Sequence, residues 1–125
     1  MNKSELELYI KKATSDIDHD RMSVLLENSI SLGNGYNFKK GSINIIIAME
    51  ELGELTQQLS KWIRNKGDKL LITEEVADVI IGLEYVKKVC GIDQEDINKI
   101  INIKLDRLEA REKNITQIVS TKGGI

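Results

Sequence analysis

Two short stretches of the chain carry carboxylates in the same order. Residues 50–55 read Glu-Glu-Leu-Gly-Glu-Leu, and residues 74–79 read Glu-Glu-Val-Ala-Asp-Val. Each runs acid, acid, apolar, small, acid, apolar. On a helix, positions i and i+3 are neighbours. Glu51 and Glu54 therefore share one edge of an apolar stripe, and Glu75 and Asp78 share the matching edge of a second. Glu50 and Glu74 lie further round. If the two stripes pack as an antiparallel pair, the acid edges meet and gather Glu51, Glu54, Glu75 and Asp78. Carboxylates so placed repel one another until protons or a cation neutralise them, and isolated buried charge is costly. A hard divalent cation resolves the conflict. An all-oxygen ligand set suits Mg²⁺, with Mn²⁺ as a substitute, better than Zn²⁺ or iron. The only histidine, His19, stands apart, so the Glu-x-x-His pattern of di-iron bundles is missing. One Glu-Glu-x-x-Glu is ordinarily a solvated helix face. Two copies in matching register weaken that account, and both readings stay open on the residues alone.

Other candidates follow. Lys104, Arg107 and Arg111 fall at i, i+3 and i+7, where they could receive phosphate oxygens. They could equally serve a helix C-terminus and pair with Asp106 and Glu109. Lys61, Arg64 and Lys66 suit the end of another helix. Trp62 lies on an apolar stripe and reads as a core or oligomer contact, whereas Tyr36 and Phe38, in a glycine-rich loop, are the better base-stacking candidates. Gly53 and Ala77, inside the acid motifs, would let a helix or a ligand approach closely, unless the glycine is a chance surface residue. His19 reads as surface and Cys90 as core.

These residues need helices to hold them. The pattern predicts five: 2–12 with Leu6, Tyr9 and Ile10 on one side; 18–32, capped by Asp16 or Asp18, with Met22, Leu25, Leu26 and Ile30; about 42–65, capped by Ser42; about 73–90, capped by Thr73; and 94–112, capped by Asp93. The third buries Ile45, Met49, Leu52, Leu55 or Thr56, Leu59, Trp62 and Ile63. The fourth buries Val76, Val79, Leu83 and Val86, holds Glu74 and Glu75 in its first turn, and ends at Gly91. The last turns Ile97, Ile100, Ile101, Leu105 and Leu108 inward. Residues 33–41 form a loop, and 114–125 a flexible tail.

The chain has 125 residues, a net charge of -2 and no proline. The length fits one all-α domain over 1–113, a helical bundle of four to five helices completed by oligomerisation. No basic excess draws it to nucleic acid or a membrane surface. The start, MNKSELELYIKK, lacks a signal-peptide apolar core, and no apolar run approaches the ~20 residues of a membrane span. One cysteine excludes an intrachain disulfide. The expectation is a cytoplasmic protein.

The motif Glu50-Glu51-Leu52-Gly53-Glu54 followed by Glu75-Val76-Ala77-Asp78 resembles the EExxE…ExxD signature of MazG-like, all-α nucleoside triphosphate pyrophosphatases. The similarity spans roughly residues 40–112, including the closing Ile-Lys-Leu-Asp-Arg-Leu-Glu-Ala-Arg. It implies a bundle that forms homodimers or homotetramers and splits a (d)NTP into (d)NMP and pyrophosphate, for nucleotide-pool control or house-cleaning. It implies Mg²⁺ held by Glu51, Glu54, Glu75 and Asp78, with Glu50 a further ligand or base. Glu50 or Glu54 would accept a proton from the attacking water. Lys104, Arg107 and Arg111 would bind phosphates, and Asn44 a base or sugar. Leu108 stands where the family often has an Asn. The competing expectation is a non-catalytic helical module that binds a nucleotide or a protein.

Overall fold

The computed structural model describes residues 1–32 and 40–123, with side chains described as far as residue 115. Tyr36, Phe38 and most of the glycine-rich loop lie outside the described residues. The described residues form helices and no strand, as expected of an all-α chain: α1 Lys3–Lys12, α2 His19–Leu32, α3 Ser42–Ile63, α4 Lys69–Cys90 and α5 Gln94–Gly123. Two compact units are present, Met1–Gly91 and Ile92–Ile125.

Capping chemistry sets the helix ends. Asn2 starts α1 by accepting from the Glu5 N–H at 2.8 Å, and Asp18 starts α2 by accepting from the Arg21 N–H at 2.9 Å. Gly41, in the left-handed region at φ 84°, precedes α3 and makes no side-chain cap, so Ser42 is the first helical residue rather than the cap. Thr73 is likewise not a cap. Asp68 starts α4 by accepting from the N–H groups of Leu70 and Leu71 at 2.9 and 3.3 Å, and the Thr73 hydroxyl donates to the Lys69 carbonyl inside the helix. Asp is a strong N-cap, and Leu70, Leu71 and Ile72 extend the apolar pattern back to it. Glu74 and Glu75 consequently sit past the first turn, where the helix dipole has faded. Gly91 ends α4 at φ 67° and Asp93 caps α5, both as expected. α5 continues to Gly123, past the end expected near residue 112.

Within the first unit, α3 and α4 form an antiparallel hairpin. Gly41 meets Val89 and Ala48 meets Gly82, so partners run in reverse order along the two helices. α2 packs on α4 and buries Leu26 and Ile30. Lys88 ties these two helices by donating to Ser23 Oγ at 2.8 Å and Glu27 Oε1 at 3.1 Å. Asn44, 3% exposed, joins α3 to α2 by donating from Nδ2 to Ser29 Oγ at 3.1 Å. Lys3 pairs with Asp68 at 2.7 Å, which fastens α1 to the start of α4.

The face of α3 turned inward is not the expected stripe. It runs Asn44, Ala48, Glu51, Leu55, Gln58, all buried or half-buried. Met49, Leu52, Leu59, Trp62 and Ile63 are 44–80% exposed instead. The reason is that α3 is apolar on more than one side, so hydrophobicity alone does not choose the face. Small residues choose it: Ala48 opposite Gly82 lets the backbones approach. The other stripes are also thinner than expected. Leu25, Val76 and Leu83 are exposed, as are Ile100, Ile101, Leu105 and Leu108 on α5. Cys90 is exposed, not core. No helix among the described residues is long and apolar enough to cross a membrane.

Candidate metal centre

The antiparallel hairpin brings the two acid motifs together. Glu51 lies one turn beyond Ala48 on α3, and Asp78 one turn before Gly82 on α4. Glu51, Glu54 and Glu75 each offer a carboxylate oxygen, and these atoms all lie within 4.8 Å of one another. Asp78 falls outside that triple but remains its electrostatic neighbour, since its charge acts on Glu51. Glu51, Glu75 and Asp78 are half-buried, and Glu54 is exposed. Glu50 is exposed one position along from Glu51.

The electrostatics are those of like charges held close together. Burial, then the charges of Asp78, Glu54 and Glu75, push the Glu51 carboxyl up to about 7 from an ordinary 4.5. Glu75 is raised by burial and then by Glu54 and Asp78. Asp78 is raised by burial and then by Glu74 and Glu54. Glu74 was not singled out as a site residue by the sequence pattern. Its influence follows from the i, i+4 spacing to Asp78, which was readable. Among the described residues, none of the ion pairs involves these acids.

Two oxygens are decisive. Glu51 Oε2 and Glu75 Oε2 are shielded from solvent and have no hydrogen-bond partner. A buried acceptor left unpaired costs about 1–3 kcal/mol, and more when charged. Protonation of Glu51 relieves the cost in part. A small divalent cation would relieve it too, since Mg²⁺ takes carboxylate oxygens and keeps water or phosphate in its other positions. The residues present therefore fit such an ion: the donors are all oxygen, and the carboxylates converge from two helices.

Gly53 makes no close approach to another helix of this chain. A Cβ there would meet nothing within 4 Å, and both Gly53 and Ala77 are exposed. The glycine of α4 that packs against α3 beside the acids is Gly82. Asn44 lies two turns before Glu51, buried, with Oδ1 also unpaired. Lys104, Arg107 and Arg111 are exposed on α5, in the second unit. Glu109, a possible partner for them, pairs with Lys113 at 2.9 Å. A cleft of about 560 Å³ is lined by Glu27, Ile30, Ser31, Lys40, Lys88 and Val89. It lies about three turns along α4 from Asp78, and its Lys88 is already held by Glu27 and Ser23. Comparison with protein-family models, curated proteins and solved structures finds no match to this chain.

Proposed function

We propose that the chain is a Mg²⁺-dependent nucleotide pyrophosphohydrolase of the MazG-like kind, cleaving a (d)NTP to (d)NMP and pyrophosphate. The observation that carries this reading is the pair of shielded, unpartnered oxygens on Glu51 and Glu75 within a cluster drawn from both acid motifs. Glu51, Glu54, Glu75 and Asp78 would hold the ion. Bound there, Mg²⁺ would neutralise phosphate charge and acidify a water. Glu50 and Glu54 are exposed carboxylates on the same helix, suited to take a proton from that water. The part given to Lys104 and Arg111 as phosphate ligands rests on the sequence resemblance, that of Arg107 on its spacing with them, and that of Asn44 as a base or sugar contact on its place two turns before Glu51.

The same reading makes the protein a homodimer or homotetramer. Met49, Leu52, Leu59, Trp62 and Ile63 expose a broad apolar side of α3, and exposed patches of this kind mark association surfaces. That surface also favours the second reading, a non-catalytic helical interaction module, which needs the apolar residues and not the acids.

Pyrophosphate release separates the two. It is measured over a panel of NTPs, dNTPs and oxidised or deaminated variants, with Mg²⁺ and with EDTA. Metal-dependent release that Glu51→Ala abolishes supports the hydrolase. A folded protein that releases none from any nucleotide leaves the interaction module.

A further inference from the structure

α3 and α4 press closely together at Gly82. A Cβ at Gly82 would lie 3.2 Å from the Cβ of Ala48 and 3.3 Å from its Cα. Ala48 is 3% exposed and Gly82 is buried. A glycine inside a helix is costly relative to alanine, yet α4 carries one here. The neighbouring atoms are a methyl and a main-chain carbon, neither of which can swing aside. A side chain at 82 therefore moves the helices rather than a rotamer.

The position of this contact gives it consequence. Glu51 follows Ala48 by three residues, and Asp78 precedes Gly82 by four. Glu51 and Asp78 thus each hang one turn from a close contact between the two helices. Their separation across the hairpin is fixed by that point, because helices are stiff over a single turn.

We infer that the Ala48–Gly82 contact sets the width of the carboxylate cluster and with it a preference for a small divalent cation over a larger one. This rests on reading the cluster as a cation site. Mg²⁺ demands oxygens at about 2.0–2.1 Å in near-octahedral order, while Ca²⁺ accepts about 2.3–2.6 Å and looser geometry. A separation of a few tenths of an ångström is the difference between the two ions. Ala48 and Gly82 are positioning residues: they touch no ion and act through Glu51 and Asp78.

The test uses Mn²⁺ bound to the full chain, followed by electron paramagnetic resonance, and its displacement by Mg²⁺ and by Ca²⁺. Gly82→Ala should raise the Ca²⁺-to-Mg²⁺ affinity ratio about tenfold or more. The double variant Ala48→Gly with Gly82→Ala moves the methyl to the other helix and should restore the wild-type ratio. Loss of stability alone would not move the ratio and then return it. Ala48→Ser, a smaller wedge from the opposite side, should shift the ratio the same way and serves if Gly82→Ala fails to fold. Wild-type protein that binds no Mn²⁺ overturns the cation site and this inference together. Wild-type binding with an unchanged ratio in the folded wedge variants overturns this inference alone.

Discussion

Gly41 leaves the space that Val89 fills: a Cβ on Gly41 would stand 2.5 Å from Val89 Cγ2 and 2.8 Å from Cγ1. The start of α3 is thereby locked against the end of α4. The glycine is needed twice over, because its φ of 84° is also one that side chains rarely adopt. Gly41→Ala should cost about 2–4 kcal/mol from backbone strain and overpacking together. Urea unfolding of the variant checks the figure, and a loss below about 1 kcal/mol would mean that this end of the hairpin is loosely held.

The acid cluster makes the metal-free protein sensitive to base. Glu51 titrates near 7 in the folded chain and near 4.5 when unfolded. Its contribution is fully present below 4.5 and is lost as pH rises through 7; Glu75 and Asp78, also raised, act in the same sense. Protein in EDTA should therefore melt at a lower temperature at pH 8 than at pH 5. Solvent screening at the half-open cluster holds the difference to about 1–2 kcal/mol. Glu51→Gln should flatten the dependence and be the more stable protein at pH 8. A parallel pH dependence in the two proteins would show that Glu51 is not the group responsible.

Adding Mg²⁺ should reverse that loss. An ion present at about ten times its dissociation constant stabilises the fold by about 1.4 kcal/mol. The gain should be larger at pH 8 than at pH 5, because protons and the cation compete for the same oxygens. Differential scanning calorimetry reads it directly. Glu75→Gln, which removes charge from one of the two unpartnered groups, should lose most of the gain.

Asn44 invites a separate experiment. Buried and donating to Ser29, it links α3 to α2. Asn44→Ala should cost about 1–2 kcal/mol in stability. If the residue also reads a base or sugar, the KM for nucleotide should rise while metal affinity stays constant. An unchanged KM assigns it to packing alone.

The apolar side of α3 gives a fifth contrast. Leu59→Lys should leave the helix content intact, since position 59 is 45% exposed in the chain. It should shift the protein towards monomer in sedimentation if that side is an association surface.

Much of this arrangement was legible in the residues. The matching acid motifs foretold a gathering of Glu51, Glu54, Glu75 and Asp78, and the first three converge with Asp78 just outside them, because i, i+3 spacing survives any modest error in helix boundaries. Asp93 and Gly91 marked helix ends through chemistry that is local to the chain. The face of α3 was not legible. With apolar residues at 45, 46, 47, 49, 52 and 59, several faces were equally oily, and the choice fell to the fit of Ala48 against Gly82 across the hairpin. Gly53 drew attention because it sat within a motif, whereas Gly82 sat within an unremarkable apolar run. The start of α4 was misplaced for a related reason: Thr73 and Asp68 are both good caps, and only the structure shows which one accepts hydrogen bonds.

The turn between α3 and α4 occupies only residues 64–68, and that brevity has a kinetic meaning. Every carboxylate of the cluster comes from one helical hairpin, so the loop that must close to assemble it is short. Closing such a loop carries little entropic cost, and local contacts of this kind form early in folding. The mutual repulsion of the acids is then met near the start of the reaction rather than at its end. A divalent cation in the refolding buffer should therefore quicken folding more than it slows unfolding, the reverse of what a ligand does when it binds only a finished fold.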